Sequence, residues 1–226
     1  MEKVVAVFDL EGTLFRRSSD FINEIRNSQK RGTISRVNIA LFNIILMVIF
    51  ILYKLHIIDE QTMRTATIKR FAAFLKNSSE KEITQRAKLF ATKYLEQLRP
   101  EMSRILEEHK KNGHITILIS GMPQPYVEAI KQDLGIDIAI ATERETRNGY
   151  YTGQLASVPC FGERRAQALS ELVNKLDYEI NLGESFAYGD AIFDRYYLGM
   201  VGNPIAVYPD KKLAEFAEEH GWSIVN

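Results

Sequence analysis

Val4-Val5-Ala6-Val7-Phe8-Asp9-Leu10-Glu11-Gly12-Thr13 is the stretch whose reading decides the fold. Its apolar run is rich in Val and too short for a helix, so it reads as a strand buried on both faces. Gly12 breaks the strand just where two carboxylates appear. Asp9 and Glu11 are therefore presented together at the carboxyl end of a strand, the edge at which open α/β sheets keep their ligands. Alone, the same pattern fits an acidic turn without chemistry.

Outward from that strand, 226 residues suit one large domain or a core carrying one sizeable insertion. The composition, 46% hydrophobic and 26% charged, is that of an ordinary folded domain. A net charge of zero gives no electrostatic case for nucleic acid, and none is expected as a partner. The lone Cys160 excludes an internal disulfide and fits a reducing, cytoplasmic setting. Met1-Glu2-Lys3 leads directly into the strand, so no secretory leader is expected.

After Thr13, helical patterns replace the strand grammar for roughly a hundred residues. A first amphipathic piece covers about Ser19 to Gln29. The run from Val37 to Leu55 follows. Asp59 is placed to cap a helix to about Lys76, and Ser79 with Glu82 forms a capping box for another to about Leu98. Pro100 suits the first turn of a further helix, which Gly113 ends. Alternating strands and helices then return: strands at His114–Ile119, Ile136–Ala141, Ser185–Tyr188, Ile205–Tyr208 and Trp222–Val225, with Asn148-Gly149 as a type I′ hairpin turn. This order predicts an α/β protein. A Rossmann-like, three-layer parallel-sheet core (1–15 and 99–226) carries an all-helical cap (16–98) inserted between its first and second strands.

Residues 37–55 are apolar apart from Asn38, Asn43 and Lys54. As a helix they would be about 28 Å long, near the thickness of a bilayer core. A span is excluded by topology, because it would divide the strands of one sheet between two sides of a membrane. Three roles stay open: a buried cap helix, an interfacial helix giving peripheral membrane contact, and a homodimer face.

Four clusters carry the chemistry. Asp9 and Glu11 form the first. In the second, the strand Ile117-Leu118-Ile119 ends in Ser120-Gly121 just before a helix, and its hydroxyl and N–H groups make an anion cradle. Arg164 and Arg165 place cations at a helix start, and Gly189-Asp190 with Asp194 adds two more carboxylates. Each has an ordinary structural reading: Ser120 and Asp194 as helix caps, the arginines as solvated charge. Together they supply what phosphoryl transfer needs, which is mostly positioning and charge neutralisation. The hard oxygens favour magnesium over zinc, and no His or Cys cluster competes.

These motifs resemble the haloacid dehalogenase superfamily of phosphatases, in its phosphoserine phosphatase-like branch with a helical cap. Asp9 to Thr13 matches the first motif, Ser120 the second, Arg165 the third and Gly189-Asp190 through Asp194 the fourth. The resemblance implies a magnesium-dependent phosphomonoesterase acting on a small-molecule phosphate monoester. In it Asp9 is the nucleophile and Glu11 the general acid and base. Ser120, Gly121 and Arg165 hold the phosphate, and the metal lies among Asp9, the Glu11 backbone carbonyl, Asp190 and Asp194, the last directly or through water. Three departures matter: Glu11 stands where Asp is usual, Arg165 where Lys is usual, and Ser18 where phosphoserine phosphatases carry a Glu for the substrate amine. Phosphoserine is accordingly disfavoured, and the run 37–55 suggests a greasy wall for an apolar or lipid-like phosphate. The alternatives are a phosphoserine or small-metabolite phosphatase, a phosphotransferase, and a degenerate core that docks a membrane or partner.

Overall fold

The computed structural model describes residues 2–16 and 36–226, with side chains from residue 40 onward in the first helix. The expectations for residues 19–29 and for Ser18 lie outside the described residues. Strand β1 (Val5–Asp9) is wholly buried. Among the described residues it is followed by three inserted helices, α1 (Arg36–Lys54), α2 (Glu60–Phe74) and α3 (Glu80–Tyr94). The chain then runs through α4 (Pro100–Lys111), β2 (Ile115–Pro123), α5 (Gln124–Leu134) and β3 (Ile138–Thr142). A hairpin, β4 (Arg144–Arg147) and β5 (Tyr150–Leu155), precedes α6 (Glu163–Val173). Last come β6 (Phe186–Gly189), α7 (Arg195–Leu198), β7 (Asn203–Val207), α8 (Lys211–Glu219) and β8 (Ser223–Val225).

Six strands form a parallel sheet in the order β3-β2-β1-β6-β7-β8. β1 is central, and the alternation of its side chains divides the core in two. Ala6 and Phe8 face a cluster that includes Phe90 of α3, Met102 and Leu106 of α4, and Tyr126 and Val127 of α5. Val5 and Val7 face the opposite cluster, with Leu169 of α6, Leu198 of α7 and Leu213 of α8. Each Val, Leu, Met or Phe side chain fully withdrawn from water there contributes about 1.5–3 kcal/mol. Strand β1 is thereby held from both faces up to Asp9 at its carboxyl end. This is the expected three-layer α/β core with helices inserted between its first two strands.

The expected caps form. The Thr62 and Glu82 N–H groups donate to Asp59 Oδ1 (2.7 Å) and Ser79 Oγ (3.2 Å). Helix α3 stops at Tyr94, and a short 3-10 turn covers Leu95–Gln97. Asn148 and Gly149 both have positive φ, as a type I′ turn requires. The hairpin also grips the inserted helices through backbone bonds: Asn77 N–H to Tyr151 O (2.8 Å), Tyr151 N–H to Ser78 O (3.0 Å) and Glu80 N–H to Gly149 O (2.9 Å).

Two expectations are corrected. Strand β2 does not end at Ile119; it continues to Pro123, with a shift of register against β3 between Ile119 and Pro123. Ser120 and Gly121 therefore lie in an irregular strand end, not at a helix start. The run 37–55 is a helix that buries only one side. Phe42 is buried and meets Phe71 and Phe74 at 5.2 and 4.8 Å between ring centroids, whereas Leu41, Ile44, Val48 and Ile51 are about half exposed. The fully buried reading fails for that face. No helix among the described residues is long and apolar enough to cross a membrane.

Candidate active site

Three neighbouring strands of the sheet end side by side. β1 delivers Asp9, β2 delivers Ser120, and β6 ends at Gly189 so that Asp190 follows directly. All three side chains are buried, as is Asp194 in the 3-10 turn beyond. Asp9, Asp190 and Asp194 each bring an oxygen within 4.8 Å of the others. Gly12 makes this approach possible: its φ is +93°, and a Cβ there would stand 2.0 Å from Asp190 Oδ2.

Arg165, in the first turn of α6, is the cation that meets this cluster. Its Nη1 stands 2.9 Å from Asp9 Oδ1 and 2.6 Å from Asp194 Oδ1. Arg164 turns outward to Glu171 instead. Asp194 uses its second oxygen to accept the N–H groups of Asp190 and Ala191, both at 3.0 Å. It is thus a brace between α6 and the β6 end, with both carboxylate oxygens engaged.

The electrostatics follow from this crowding. Burial pushes the Asp9 carboxyl well above its ordinary range, Arg165 opposes that, and the charges of Asp194 and Asp190 add to it. Three buried carboxylates with one guanidinium between them leave a net negative pocket of hard oxygen donors, which fits a divalent cation.

Glu11 stands apart from this cluster, facing the inserted helices, with its Oε1 3.5 Å from the Tyr94 hydroxyl. Burial raises its pKa, and the Asp190 charge raises it further. Ser120 Oγ accepts the Met122 N–H at 3.2 Å, so its own proton is free to point elsewhere. Thr142 Oγ1 donates to Gly121 O at 2.9 Å and steadies the loop.

A cavity of about 450 Å³ opens over these groups, and Asp9, Glu11, Ser120, Gly121, Arg165, Asp190 and Asp194 all line it. Its far wall comes from α2 through Met63, Arg64, Thr67, Ile68 and Phe71. No described side chain of α1 reaches it, so the expected greasy wall from 37–55 is corrected to one from α2. Sequence reading missed Arg64 and Arg144, which also line the cavity. Arg64, Thr67, Ile68 and Phe71 share one face of a helix by their spacing. That face mixes charge with apolar groups, so it carries no amphipathic signal.

Known proteins are similar to this chain in sequence or in fold. A probable phosphatase of Mycobacterium tuberculosis is 32% identical over 126 residues, 56% of this chain and 43% of that protein. The chain therefore spans less than half the length of this relative. A histidinol-phosphatase of Neisseria meningitidis is 27% identical over 164 residues, 71% of this chain and 74% of that protein. A crystal structure of a Bordetella pertussis protein of unknown function superposes with a TM-score of 0.83 at 22% identity, covering 100% of this chain and 99% of the other. A profile of the haloacid dehalogenase-like hydrolases matches residues 6–198. That match runs from the strand bearing Asp9 to the helix beyond Asp194, and the chain belongs to the haloacid dehalogenase-like hydrolase family.

Proposed function

We propose that this protein is a magnesium-dependent phosphomonoester hydrolase that works through a phosphorylated Asp9. The observation that carries this reading is the buried convergence of Asp9, Asp190, Asp194 and Arg165 beneath Ser120 and Gly121 at adjoining strand ends. Residues 1–15 and 99–226 form the catalytic core in this reading, and 16–98 the cap that walls the leaving-group side.

Arg165 takes Asp9 Oδ1, leaving the other oxygen to attack phosphorus. The Ser120 hydroxyl and the Gly121 N–H donate to the phosphoryl oxygens. As the P–O bond to the leaving group breaks, Glu11 gives its proton to the departing oxygen. Glu11 then takes a proton from the water that attacks the aspartyl-phosphate, and phosphate leaves with Asp9 restored. Magnesium, held by Asp9, Asp190 and the Glu11 backbone carbonyl and braced by Asp194, would offset the negative charge that gathers at the phosphoryl group. The cavity volume suits a small monoester. Its apolar wall residues Met63, Ile68 and Phe71 leave room for an apolar portion of the leaving group.

A panel of phosphate monoesters assayed with magnesium on wild type and Asp9→Asn in parallel tests the reading. Hydrolysis by wild type, reduced about a thousandfold or more in Asp9→Asn, is the expected result. A folded wild-type protein that cleaves none of them returns the chain to the scaffold reading, in which the exposed face of α1 docks a membrane or partner.

A further inference from the structure

The proposed chemistry does not use two of the cavity's cations, Arg64 and Arg144, and Arg144 has no ion pair or hydrogen bond among the described residues. Arg144 opens β4, is only 8% exposed, and lines the same cavity as Asp9. Its Nε, Nη1 and Nη2 are buried with no hydrogen-bond partner among the described residues. The phenol rings of Tyr126 and Tyr151 are its polar neighbours. The other cavity arginines are matched: Arg165 by Asp9 and Asp194, and Arg64 by Glu60 at 2.8 Å. A buried guanidinium without a counter-charge is strongly unfavourable; none stands beside Arg144 among the described residues, which points to a ligand that brings the charge.

Its position says which part of a ligand it meets. Two residues earlier, Thr142 is tied to the phosphate cradle, bonding Gly121 O at 2.9 Å and accepting the Cys160 N–H at 3.1 Å. The opposite strand of the hairpin is bonded to the inserted helices through Tyr151. Arg144 thus stands between the cradle and the wall formed by α2. We infer that Arg144 binds a second anionic group, a carboxylate or a second phosphate, on the leaving-group portion of the monoester. This rests on the phosphatase reading of the same cavity. The planar fork of arginine matches either oxyanion through two parallel hydrogen bonds. A neutral leaving group would fill the cavity and leave the guanidinium unpaired, so the site discriminates against it. Burial lowers the Arg144 pKa to about 10, and it remains cationic at neutral pH.

Three series of small substrates test this with the full chain and magnesium: phosphorylated hydroxy acids of two to four carbons, diol bisphosphates of the same lengths, and plain alkyl phosphates. Wild type is expected to favour one acidic series over the alkyl phosphates by about ten- to a hundredfold in kcat/KM, chiefly through KM. That ratio should collapse in Arg144→Gln and be partly kept in Arg144→Lys. Whichever acidic series is favoured identifies the anion. A ratio unmoved by Arg144→Gln, or a wild-type preference for alkyl phosphates, overturns the inference. Arg144→Met, which fills the buried space without charge, takes its place if Arg144→Gln does not fold. Calorimetric binding of the same compounds to Asp9→Asn protein, with and without Arg144→Gln, reads the site independently of turnover. If wild type cleaves nothing yet Arg144→Gln still weakens acidic ligands selectively, the hydrolase reading fails and the Arg144 assignment stands. If cleavage is robust and neither readout moves, the reverse holds. If no compound is cleaved and none binds selectively, both fail.

Discussion

Arg165 is the pivot of the site because a single nitrogen of its guanidinium faces two buried carboxylates. Truncating it in Arg165→Met strands those charges, and the loss should be roughly 3 kcal/mol of stability by urea unfolding without magnesium. Arg165→Lys should recover part of this, since an ammonium restores one cationic nitrogen to the two carboxylates but loses the second contact, from Nε to Cys160 O. Gly12 gives a second prediction at this scale. Gly12→Ala combines a strained positive φ with a collision against Asp190, so phosphatase activity should fall by about a hundredfold or more. Retention of wild-type kcat/KM in that variant would show that Asp190 can move without consequence. The residue types at the strand ends were legible in the sequence, since a Gly or a charge closing an apolar run is a local signal. The choice of Arg165 over Arg164 came from the family resemblance and not from the local pattern of residues, and Arg165 is the one that meets Asp9 and Asp194. Adjacent helix positions point about 100° apart, and only the packing of α6 decides which one turns inward.

The β4–β5 hairpin is the element that joins sheet and insertion. Gly149 has a φ of +79°, and its carbonyl accepts from Glu80 at the start of α3. A Gly149→Val substitution strains the turn and should slacken that grip. We expect KM to rise severalfold with little change in kcat, because the wall that α2 contributes would sit less firmly. Helix α1 depends on Phe42 in the same way. Phe42→Ala removes a buried ring from between Phe71 and Phe74 and should cost about 3–5 kcal/mol, measured by urea unfolding. The Asn-Gly turn could be read directly from the chain, since both positions need positive φ. The extension of β2 through Gly121 and Pro123 could not. Both residues locally signal a break, and the strand persists because Pro123 pairs again with Thr142 after the shift in register.

Behind the sheet, His109 couples α4 to β6. Its Nε2 lies 2.8 Å from the Tyr188 hydroxyl and its Nδ1 2.8 Å from His114 Nδ1. Burial, aided by His114, lowers its pKa to about 4, against about 6.5 for an unfolded histidine. Between those values the unfolded chain holds the extra proton, so stability is full above about pH 6.5 and falls as the pH drops towards about 4. His109→Gln removes that titration, and its unfolding midpoint should lose less between pH 7 and pH 4.5 than that of wild type. At the scale of the whole molecule, the sequence by itself determined the parallel α/β core, the helical insertion and the acids at the strand ends. Strand period, glycine breaks and helix caps are local physics, readable over a few residues. The tertiary structure decided which helix walls the cavity, and that Arg144 is buried there without a hydrogen-bond partner among the described residues. Those facts depend on how helix faces and a hairpin pack across more than a hundred residues of chain, and no short window of sequence records such packing.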